Sequence, residues 1–324
     1  MTLDYNREQF SDAVQATSEY FEISPVYIEK DYWITKLLQR LSRSEYECQV
    51  VWKGGTSLSK GYGIIDRFSS DIDIAVLTEG MSGSQIKSLL SKVDKQMSEI
   101  LPEREVSGET SKGSRYRKTY HFYDTISNLQ DPKMSLLGNY IVVEINSFAN
   151  PYPYQRLAVS SFIGRFMLEN GFSHLVEQYD MAPFELNVLD KRRTICEKTT
   201  SLIRYSFNGN PVEGLKKKIR HFYDLYFLLQ QDDVREYLES DFIGHLKELI
   251  LHDQQSFDEP NGWQKRQIED SPLLQDFDAL WQSLQGTYKD ELSQLAYKPI
   301  PKAQEIKNAI DNFLAFVRKS IQEN

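Results

Sequence analysis

Apolar residues in the first half of the chain recur alternately at helical and at strand spacing. Helical stripes lie within residues 6–43, through Trp33, Leu37 and Leu41, and within residues 84–100, through Ile86, Leu89, Leu90, Val93, Met97 and Ile100. Short runs rich in β-branched residues predict strands at 48–53, 71–77, 117–124, 139–148 and 157–163. The polar stretch 103–115 predicts a loop between them. This half is therefore expected to form a small mixed sheet with flanking helices.

From about residue 190 the apolar spacing becomes helical almost throughout. One stripe falls within residues 213–230 and another within the last helix, which carries Ile306, Ile310, Phe313, Leu314, Val317 and Ile321. Residues 253–273 are polar and contain the turn sequence Pro260-Asn261-Gly262. The pattern predicts an α+β protein of two domains, with the sheet and N-terminal helices in residues 1–165 and a mostly helical lobe in residues 166–324.

Composition narrows the classes of protein to consider. The 324 residues are 40% hydrophobic, enough for a substantial core in one large or two medium domains. A net charge of -9 excludes a global basic field, so a nucleic acid would need a local patch. No apolar run reaches the length of a membrane span, the N-terminus lacks the apolar core of a signal peptide, and the two cysteines suit free thiols. A cytoplasmic location is expected.

The most informative segment pairs a glycine turn with two aspartates. Gly54 and Gly55 follow a predicted strand, and Asp71 and Asp73 lie two residues apart in the next one. Residues at i and i+2 of a strand point to the same face, so the two carboxylates are expected side by side. Such a pair is costly without a cation, and Mg²⁺ or Mn²⁺ favours carboxylate and phosphate oxygens. Because glycines let backbone N–H groups approach phosphates, the segment predicts a metal-assisted site for a nucleoside triphosphate.

Further polar residues around this segment are candidates for the same site. Glu144 lies inside the apolar strand, where an unpaired carboxylate is expensive, and is the candidate third metal-binding and catalytic acid; the alternative is an edge-strand or lysine-paired glutamate. Thr56 and Ser57 are candidate phosphate ligands, or the residues of an ordinary strand–helix turn. Lys60 and Arg67 are either phosphate ligands or surface charges.

The helical half carries a second group of charges. Glu197-Lys198 lies on one amphipathic helix, and Lys217, Arg220 and Asp224 are spaced to share a face of another. From the residues alone, the favoured interpretation is an Arg220–Asp224 ion pair on a wet helix surface, which contributes little to stability.

Four blocks in this order resemble the AbiEii/AbiGii nucleotidyltransferase toxins, a branch of the polymerase-β-like superfamily. They comprise residues 28–35 (IEKDYWIT), residues 53–58 with 67–73 (KGGTSL and RFSSDID), Glu197-Lys198, and residues 220–225 (RHFYDL). They span about residues 26–230. In the fourth block many members have an acid where this chain has His221.

The resemblance implies a function and assigns roles. The glycine turn and Ser57 would hold the triphosphate, Asp71 and Asp73 would bind Mg²⁺, and Lys198 and Asp224 would complete the site across the cleft between the lobes. Family members act as toxins opposed by a separately encoded antitoxin, and some add nucleotides to the 3′ end of tRNA. The expected reaction is transfer of a nucleoside monophosphate to a hydroxyl, with release of pyrophosphate.

Two basic patches could receive an RNA acceptor. One comprises Lys112, Arg115, Arg117 and Lys118, and the other comprises residues 191–193 with 216–220. Solvated charge runs are the alternative for both. Two rival functions also remain open: a non-catalytic protein that retains the fold and binds nucleotide or antitoxin, and a nucleotide-sugar transferase that uses Asp-x-Asp.

Overall fold

The chain forms two compact units, Met1–Leu189 and Asp190–Asn324. The computed structural model describes residues 2–128 and 131–323. The division lies after Leu189 rather than at the predicted boundary of 165/166. The reason is a strand that the sequence pattern did not predict, Phe184–Leu189, which pairs within the sheet of the first unit and holds residues 166–189 there.

The first unit is built on a mixed sheet of seven strands. The strands are β1 (Val50–Lys53), β2 (Asp71–Val76), β3 (Ser111–Lys112), β4 (Tyr116–Phe122), β5 (Tyr140–Asn146), β6 (Tyr154–Val159) and β7 (Phe184–Leu189). Their order is β3-β4-β5-β2-β1-β7-β6. The β2–β5 and β1–β7 pairs are parallel and the remaining pairs are antiparallel. Strands β2 and β5, which carry the candidate carboxylates, therefore lie side by side in the sheet.

Helices surround this sheet and make up the second unit. Those of the first unit are α1 (Arg7–Phe21), α2 (Pro25–Ser42), α3 (Gly54–Thr56), α4 (Gly83–Ser98), α5 (Pro132–Leu137), α6 (Phe162–Glu169) and α7 (Ser173–Gln178). Those of the second are α8 (Lys191–Ser206), α9 (Pro211–Lys216), α10 (Ile219–Leu228), α11 (Asp232–Glu239), α12 (Phe242–Ser256), α13 (Pro272–Gln275), α14 (Phe277–Leu295) and α15 (Ala303–Glu323). The α+β fold class is as expected.

Several predicted elements differ from the structure in their limits. The helix expected over 6–43 is two helices, because the chain turns at Glu22, which adopts a left-handed conformation, and Pro25 starts α2. The helix expected over 213–230 is likewise interrupted between α9 and α10. The strand expected over 157–163 ends at Val159, where Ser161 caps α6. The predicted loop 103–115 includes the short strand β3.

Apolar residues fill one face of the central strands. Ile72, Ile74 and Val76 alternate with the aspartates of β2, and Ile141, Val143 and Ile145 alternate with Glu144 on β5; all six are fully buried. Helices α2 and α4 pack near this part of the sheet. The alternation leaves the opposite face to the carboxylates, so burial of the apolar face fixes the direction in which the polar residues point.

Helix α2 contains three consecutive buried charges. Glu29 accepts hydrogen bonds from the backbone N–H groups of Ile126 and Ser127, at 2.7 and 3.1 Å. Lys30 Nζ donates to the carbonyl oxygens of Leu137 and Gly138, at 2.5 and 3.2 Å. Asp31 accepts from Lys60 Nζ and from the N–H of Phe162. Each charge thus fastens a segment distant in sequence to one turn of α2.

The buried Lys30 ammonium is expected to make stability depend on pH. Burial lowers the pKa of Lys30 from 10.5 to about 7, although the Asp71 charge opposes this shift. Between these two pKa values the Lys30 side chain carries a proton in the unfolded chain but not in the folded one. The free energy of unfolding therefore rises with pH, by up to about 1.4 kcal/mol per pH unit. Urea denaturation from pH 7 to 9 should show this rise in the wild type and not in Lys30→Met. Parallel pH dependences in the two proteins would contradict it.

The second unit is helical and has an aromatic core of its own. Phe222 of α10 contacts Phe277 and Trp281 of α14, with ring centroids 5.9 and 5.5 Å apart. Apolar residues of α15, among them Ile306, Ile310 and Val317, are fully buried, as their helical stripe predicts. No helix within the described residues is long and apolar enough to cross a membrane.

Candidate functional site

A row of four charged residues crosses the central strands. Asp73 on β2 is in register with Lys53 on β1 and with Glu144 on β5. Glu144 is in turn opposite Lys118 on β4. Directly paired residues share a face of the sheet, and Asp71 shares it through the two-residue period of β2. The structure therefore places Asp71, Asp73 and Glu144 on one face, flanked by a lysine on either side.

The glycine turn lies directly against the Asp73 carboxylate. Gly54 has a φ of +83°, a left-handed conformation that favours glycine, and a Cβ atom there would lie 2.0 Å from Asp73 Oδ2. No side chain fits between this backbone and the carboxylate. The first glycine of the turn is therefore required by its close approach to a candidate metal ligand.

Replacing Gly54 by alanine is expected to disturb the fold and the carboxylates together. Gly63 provides a matched control, because it has a φ of +64° but nothing lies within 4 Å of its added Cβ. Gly63→Ala should cost about 1–2 kcal/mol from backbone strain alone. Gly54→Ala should cost more in urea denaturation, and it alone should weaken Mn²⁺ binding measured by calorimetry. Equal losses of stability with unchanged Mn²⁺ binding would argue against the Gly54–Asp73 contact as a determinant of the site.

Behind the glycines, the turn continues as α3 and a π-helical turn at Ser57–Gly61. The buried Thr56 hydroxyl donates to the carbonyl oxygen of Asp71 at 2.5 Å, and the buried Ser57 hydroxyl donates to that of Gly54 at 2.8 Å. The Thr56 hydroxyl thus binds the turn to β2, and the Ser57 hydroxyl stabilises the turn itself. The N–H groups of Gly54 and Gly55 begin this helical segment, where N–H groups lack partners within the helix.

Arg67 is buried and the Lys60 side chain is 8% exposed, so neither is a surface charge. A Cβ atom on Gly55 would lie 2.6 Å from Arg67 Nη2, which shows that the guanidinium is packed against the second glycine. Lys60 Nζ is bound at 2.6 Å to both Asp31 Oδ1 and the carbonyl oxygen of Ser160. Burial lowers the pKa of Lys60, although the Asp31 carboxylate opposes the shift. Arg67 thus lies at the turn, whereas the Lys60 ammonium is already engaged with α2.

Glu144 is drawn towards β4. Lys118 Nζ of β4 lies 4.0 Å from Glu144 Oε1. Burial raises the pKa of Tyr116, and the nearby negative charge of Glu144 raises it further. Within residues 2–128 and 131–323, no three acidic, histidine or cysteine side chains are grouped so that they could hold a metal. The structure therefore aligns Glu144 with the aspartates on one face without gathering the three carboxylates into one cluster.

The second unit contains a buried ion pair between α8 and α10. Lys198 Nζ lies 2.7 Å from Asp224 Oδ2; Asp224 is fully buried and the Lys198 side chain is 7% exposed. The expected Arg220–Asp224 surface pair is wrong, because Asp224 points into the unit and Arg220 instead contacts Glu291 of α14 at 3.1 Å. The two residues singled out by the family blocks are therefore partners within the helical unit.

Ion pairs neutralise most of both basic patches. In the first, Lys112, Arg117 and Lys118 contact Glu103, Asp94 and Glu109, respectively. In the second, the paired cations are Lys191, Arg192, Lys216 and Arg220. Among the described residues of these patches, Arg115 and Lys217 are exposed cations without an ion pair.

The sequence analysis gave no role at the metal site to Tyr116, Lys118 or Asp31. Lys118 and Tyr120 alternate within the strand predicted at 117–124, and Tyr116, which begins the observed strand β4, shares their face. Only the pairing of β4 with β5 shows that this face also carries Glu144. Asp31 lies in the first family block, but its partner Lys60 is revealed only by the packing of α2.

Comparisons with known proteins concern the family and the fold. A family model described as "Nucleotidyl transferase AbiEii toxin, Type IV TA system" matches residues 36–315. Comparison with curated proteins finds no match. Among solved structures, the fold is similar to that of MenT4, a nucleotidyltransferase toxin from Mycobacterium tuberculosis H37Rv, with a TM-score of 0.59 over 96% of this chain and 89% of that one. The sequences are 16% identical, so this likeness concerns the fold, whose predicted class it confirms.

Proposed function

Because the chain belongs to the AbiEii nucleotidyltransferase toxin family, we propose that it transfers a nucleoside monophosphate from an NTP to a hydroxyl of an RNA, with Mg²⁺ or Mn²⁺ at Asp71 and Asp73. One observation carries the assignment of the site. The Gly54 backbone touches the Asp73 carboxylate, so phosphates bound at the glycine turn would lie beside the metal ligands. A nucleotide polyphosphate and a divalent cation require that proximity.

The residues present fit a divalent cation. Asp71 and Asp73 offer hard oxygen ligands on one face of β2, and Mg²⁺ is commonly bound by one or two carboxylates together with substrate phosphates. When bound, the cation would neutralise charge that develops on the transferred phosphate and on the pyrophosphate. The N–H groups of Gly54 and Gly55 would orient the triphosphate, and the buried Arg67 packed against Gly55 would add positive charge.

Glu144 is proposed as the third carboxylate of this site. Two observations support this proposal: Glu144 is in register with Asp73 and so shares its face of the sheet, and Lys118 Nζ lies 4.0 Å from its carboxylate. A carboxylate held there would accept a proton from the attacking hydroxyl or contribute to metal binding. Thr56 and Ser57 would maintain the shape of the turn, because their hydroxyls bind backbone carbonyls.

Lys198 and Asp224 are proposed to belong to the same catalytic machinery. Two observations support the proposal: they lie in the third and fourth family blocks, and they form a buried ion pair in the second unit. A lysine held by a buried aspartate has a fixed position, which suits electrostatic stabilisation of a phosphoryl transition state.

The proposed acceptor is the 3′ end of tRNA, and the proposed partner is a separately encoded antitoxin that opposes the toxin. The family assignment implies an antitoxin. The exposed cations Arg115 and Lys217 are the parts of the two basic patches left to meet an RNA backbone.

The direct test is incubation of the purified protein with total RNA, Mg²⁺ and each labelled NTP in turn. Transfer of label to an RNA 3′ end, lost in Asp71→Asn, supports the proposal. Nucleotide binding without transfer indicates the non-catalytic alternative. Transfer of sugar from labelled UDP-sugars in a parallel reaction, with no labelled RNA, indicates the Asp-x-Asp sugar transferase. Sequencing the labelled RNA identifies the acceptor.

A further inference from the structure

Strand β4 lies on the side of the carboxylates opposite the glycine turn. The sheet order places β1 on one side of β2, and β5 followed by β4 on the other side. The glycine turn follows β1, so a triphosphate bound there would lie on the β1 side of Asp73. In phosphoryl transfer the attacking and leaving oxygens are roughly in line. A hydroxyl that attacks opposite the departing pyrophosphate must therefore approach from the side of β5 and β4.

Tyr116 of β4 lies on this side and on the same face as the carboxylates. It alternates with Lys118, whose register partner is Glu144. Burial raises the pKa of Tyr116, and so do the charges of Glu144 and of Asp73. The phenol is therefore neutral at physiological pH and lies close enough to both carboxylates for their charges to act on it. Tyr116 is only partly buried, so part of this residue is accessible beside the candidate metal ligands.

A second ring and an exposed cation adjoin Tyr116. The centroid of the Phe148 ring lies 6.3 Å from that of Tyr116, and Phe148 is also partly exposed. Arg115 is exposed and has no ion pair among the described residues. The N–H and the hydroxyl of Ser147 donate to the carbonyl oxygen of Arg115, at 3.0 and 3.2 Å. These bonds fix the start of β4 against the end of β5, so Tyr116 is held on a rigid part of the sheet.

An aromatic ring beside an unpaired cation is the combination that binds single-stranded nucleic acid. Any base can stack on an aromatic ring, and arginine attracts the phosphates that link the bases. The bases of a duplex are already paired and stacked on one another, whereas an unpaired end can place its last base on a protein ring. The chemistry around Tyr116 therefore favours an unpaired RNA end over a helical stem.

We propose that Tyr116, flanked by Phe148, is the stacking surface for the last unpaired base of the acceptor RNA, and that Arg115 contacts its phosphate backbone. The inference rests on the proposed function for the identity of the acceptor, and it specifies the part of the acceptor that is recognised. A base stacked on Tyr116 brings the terminal ribose towards Glu144 and the carboxylates of β2.

The test measures RNA binding without chemistry, by fluorescence anisotropy in EDTA and without NTP. The probe is a labelled single-stranded RNA that ends in CCA. Tyr116→Ala should weaken its binding by about tenfold or more, the scale of a lost base–aromatic stack, and Tyr116→Phe should bind it within about twofold of the wild type. Equal affinity of the wild type and Tyr116→Ala for this RNA would overturn the proposal.

A blunt duplex that contains the same sequence tests the preference for an unpaired end. Its terminal bases stay paired, so the wild type and Tyr116→Ala should bind it equally. An equal loss of affinity for the single strand and the duplex in Tyr116→Ala would overturn recognition of an unpaired end.

Arg115→Gln tests the same site by a change at an exposed position, which should leave the fold intact. It should weaken binding a few-fold and reduce the slope of log Kobs against log[salt] by about 0.7, the value for one phosphate contact of a single strand. Arg318→Gln changes an exposed arginine of α15 and is the matched control, with unchanged affinity and slope. If Tyr116→Ala fails to fold, wild-type affinity and slope in Arg115→Gln would overturn the proposal on their own.

Steady-state transfer assays separate this inference from the proposed function. Tyr116→Ala should raise KM for the RNA and leave KM for the NTP unchanged. The reverse result would show that the ring serves the nucleotide, and would overturn the assignment to the acceptor. A wild-type protein that binds the single strand through Tyr116 but transfers no nucleotide would instead refute the proposed reaction and leave the RNA site in place.

Discussion

Asparagine at Asp71 or Asp73 is expected to abolish nucleotide transfer while the fold is retained. Either change removes one of two adjacent carboxylates, and with it the charge that would hold a divalent cation. The loss in rate should be at least about 10²–10³-fold, the scale seen when a preorganised electrostatic group is removed. Stability should change little, because relief of like-charge repulsion offsets the lost contacts. The measurements are labelled-NMP incorporation, Mn²⁺ binding by calorimetry, and the thermal midpoint.

Asp12→Asn is the matched control for these variants. Asp12 is exposed on α1, so the same chemical change there should leave incorporation, Mn²⁺ binding and the midpoint unchanged. Full activity in both Asp71→Asn and Asp73→Asn would show that the site assignment is wrong. Loss of activity with undiminished Mn²⁺ binding would place the metal elsewhere.

Disruption of the buried Lys198–Asp224 pair is expected to reduce both stability and activity. Lys198→Met leaves the fully buried Asp224 carboxylate without its lysine, and removal of one partner of a buried pair costs about 3–5 kcal/mol. If Lys198 also stabilises the phosphoryl transition state, its loss should slow transfer by roughly 10²–10³-fold. Because an unstable protein is also a poor enzyme, this single variant does not separate the two effects.

A double variant separates them. Replacement of a buried ion pair by apolar residues of similar volume is often neutral or stabilising, so Lys198→Met/Asp224→Leu should recover much of the stability lost in Lys198→Met. A catalytic lysine predicts that transfer stays absent in this stable protein, and that the toxin permits growth when overexpressed without antitoxin. Recovery of activity together with stability would instead limit the pair to a structural role. Urea denaturation and labelled-NMP incorporation on the same preparations give both quantities.

The first-unit elements that the sequence predicted well are those whose apolar alternation is strong. Strand β2 begins at Asp71 as expected, because Ile72, Ile74 and Val76 share one fully buried face. That alternation also predicts that Asp71 and Asp73 point the same way. The four family blocks indicated the family from local sequence alone, and the family match confirms that resemblance.

Features that depend on contacts distant in sequence could not be predicted in this way. Strand β7 pairs with β1 across more than a hundred residues, and its sequence Phe184–Leu189 is short and contains Glu185 and Asn187. The predicted orientation of Asp224 was wrong. Helical spacing places Asp224 near Arg220, but the packing of α10 on α8 buries it against Lys198. The role of Glu144 likewise stays a prediction, although its register with Asp73 is now known.

The consecutive charges of α2 have a consequence for genetic selection. Three neighbouring residues of α2 each hold a different segment. Glu29 binds the loop after β4, and Lys30 binds the end of α5. Asp31 binds both Lys60 and the start of α6. Loss of one charge leaves buried polar groups in a different segment without a partner, so each substitution loosens a separate part of the unit. When cells are selected for survival while they express the toxin, inactivating substitutions should therefore accumulate in this single helical turn as well as at Asp71 and Asp73. Those in the turn should regain toxicity at lower temperature, and those at Asp71 or Asp73 should not.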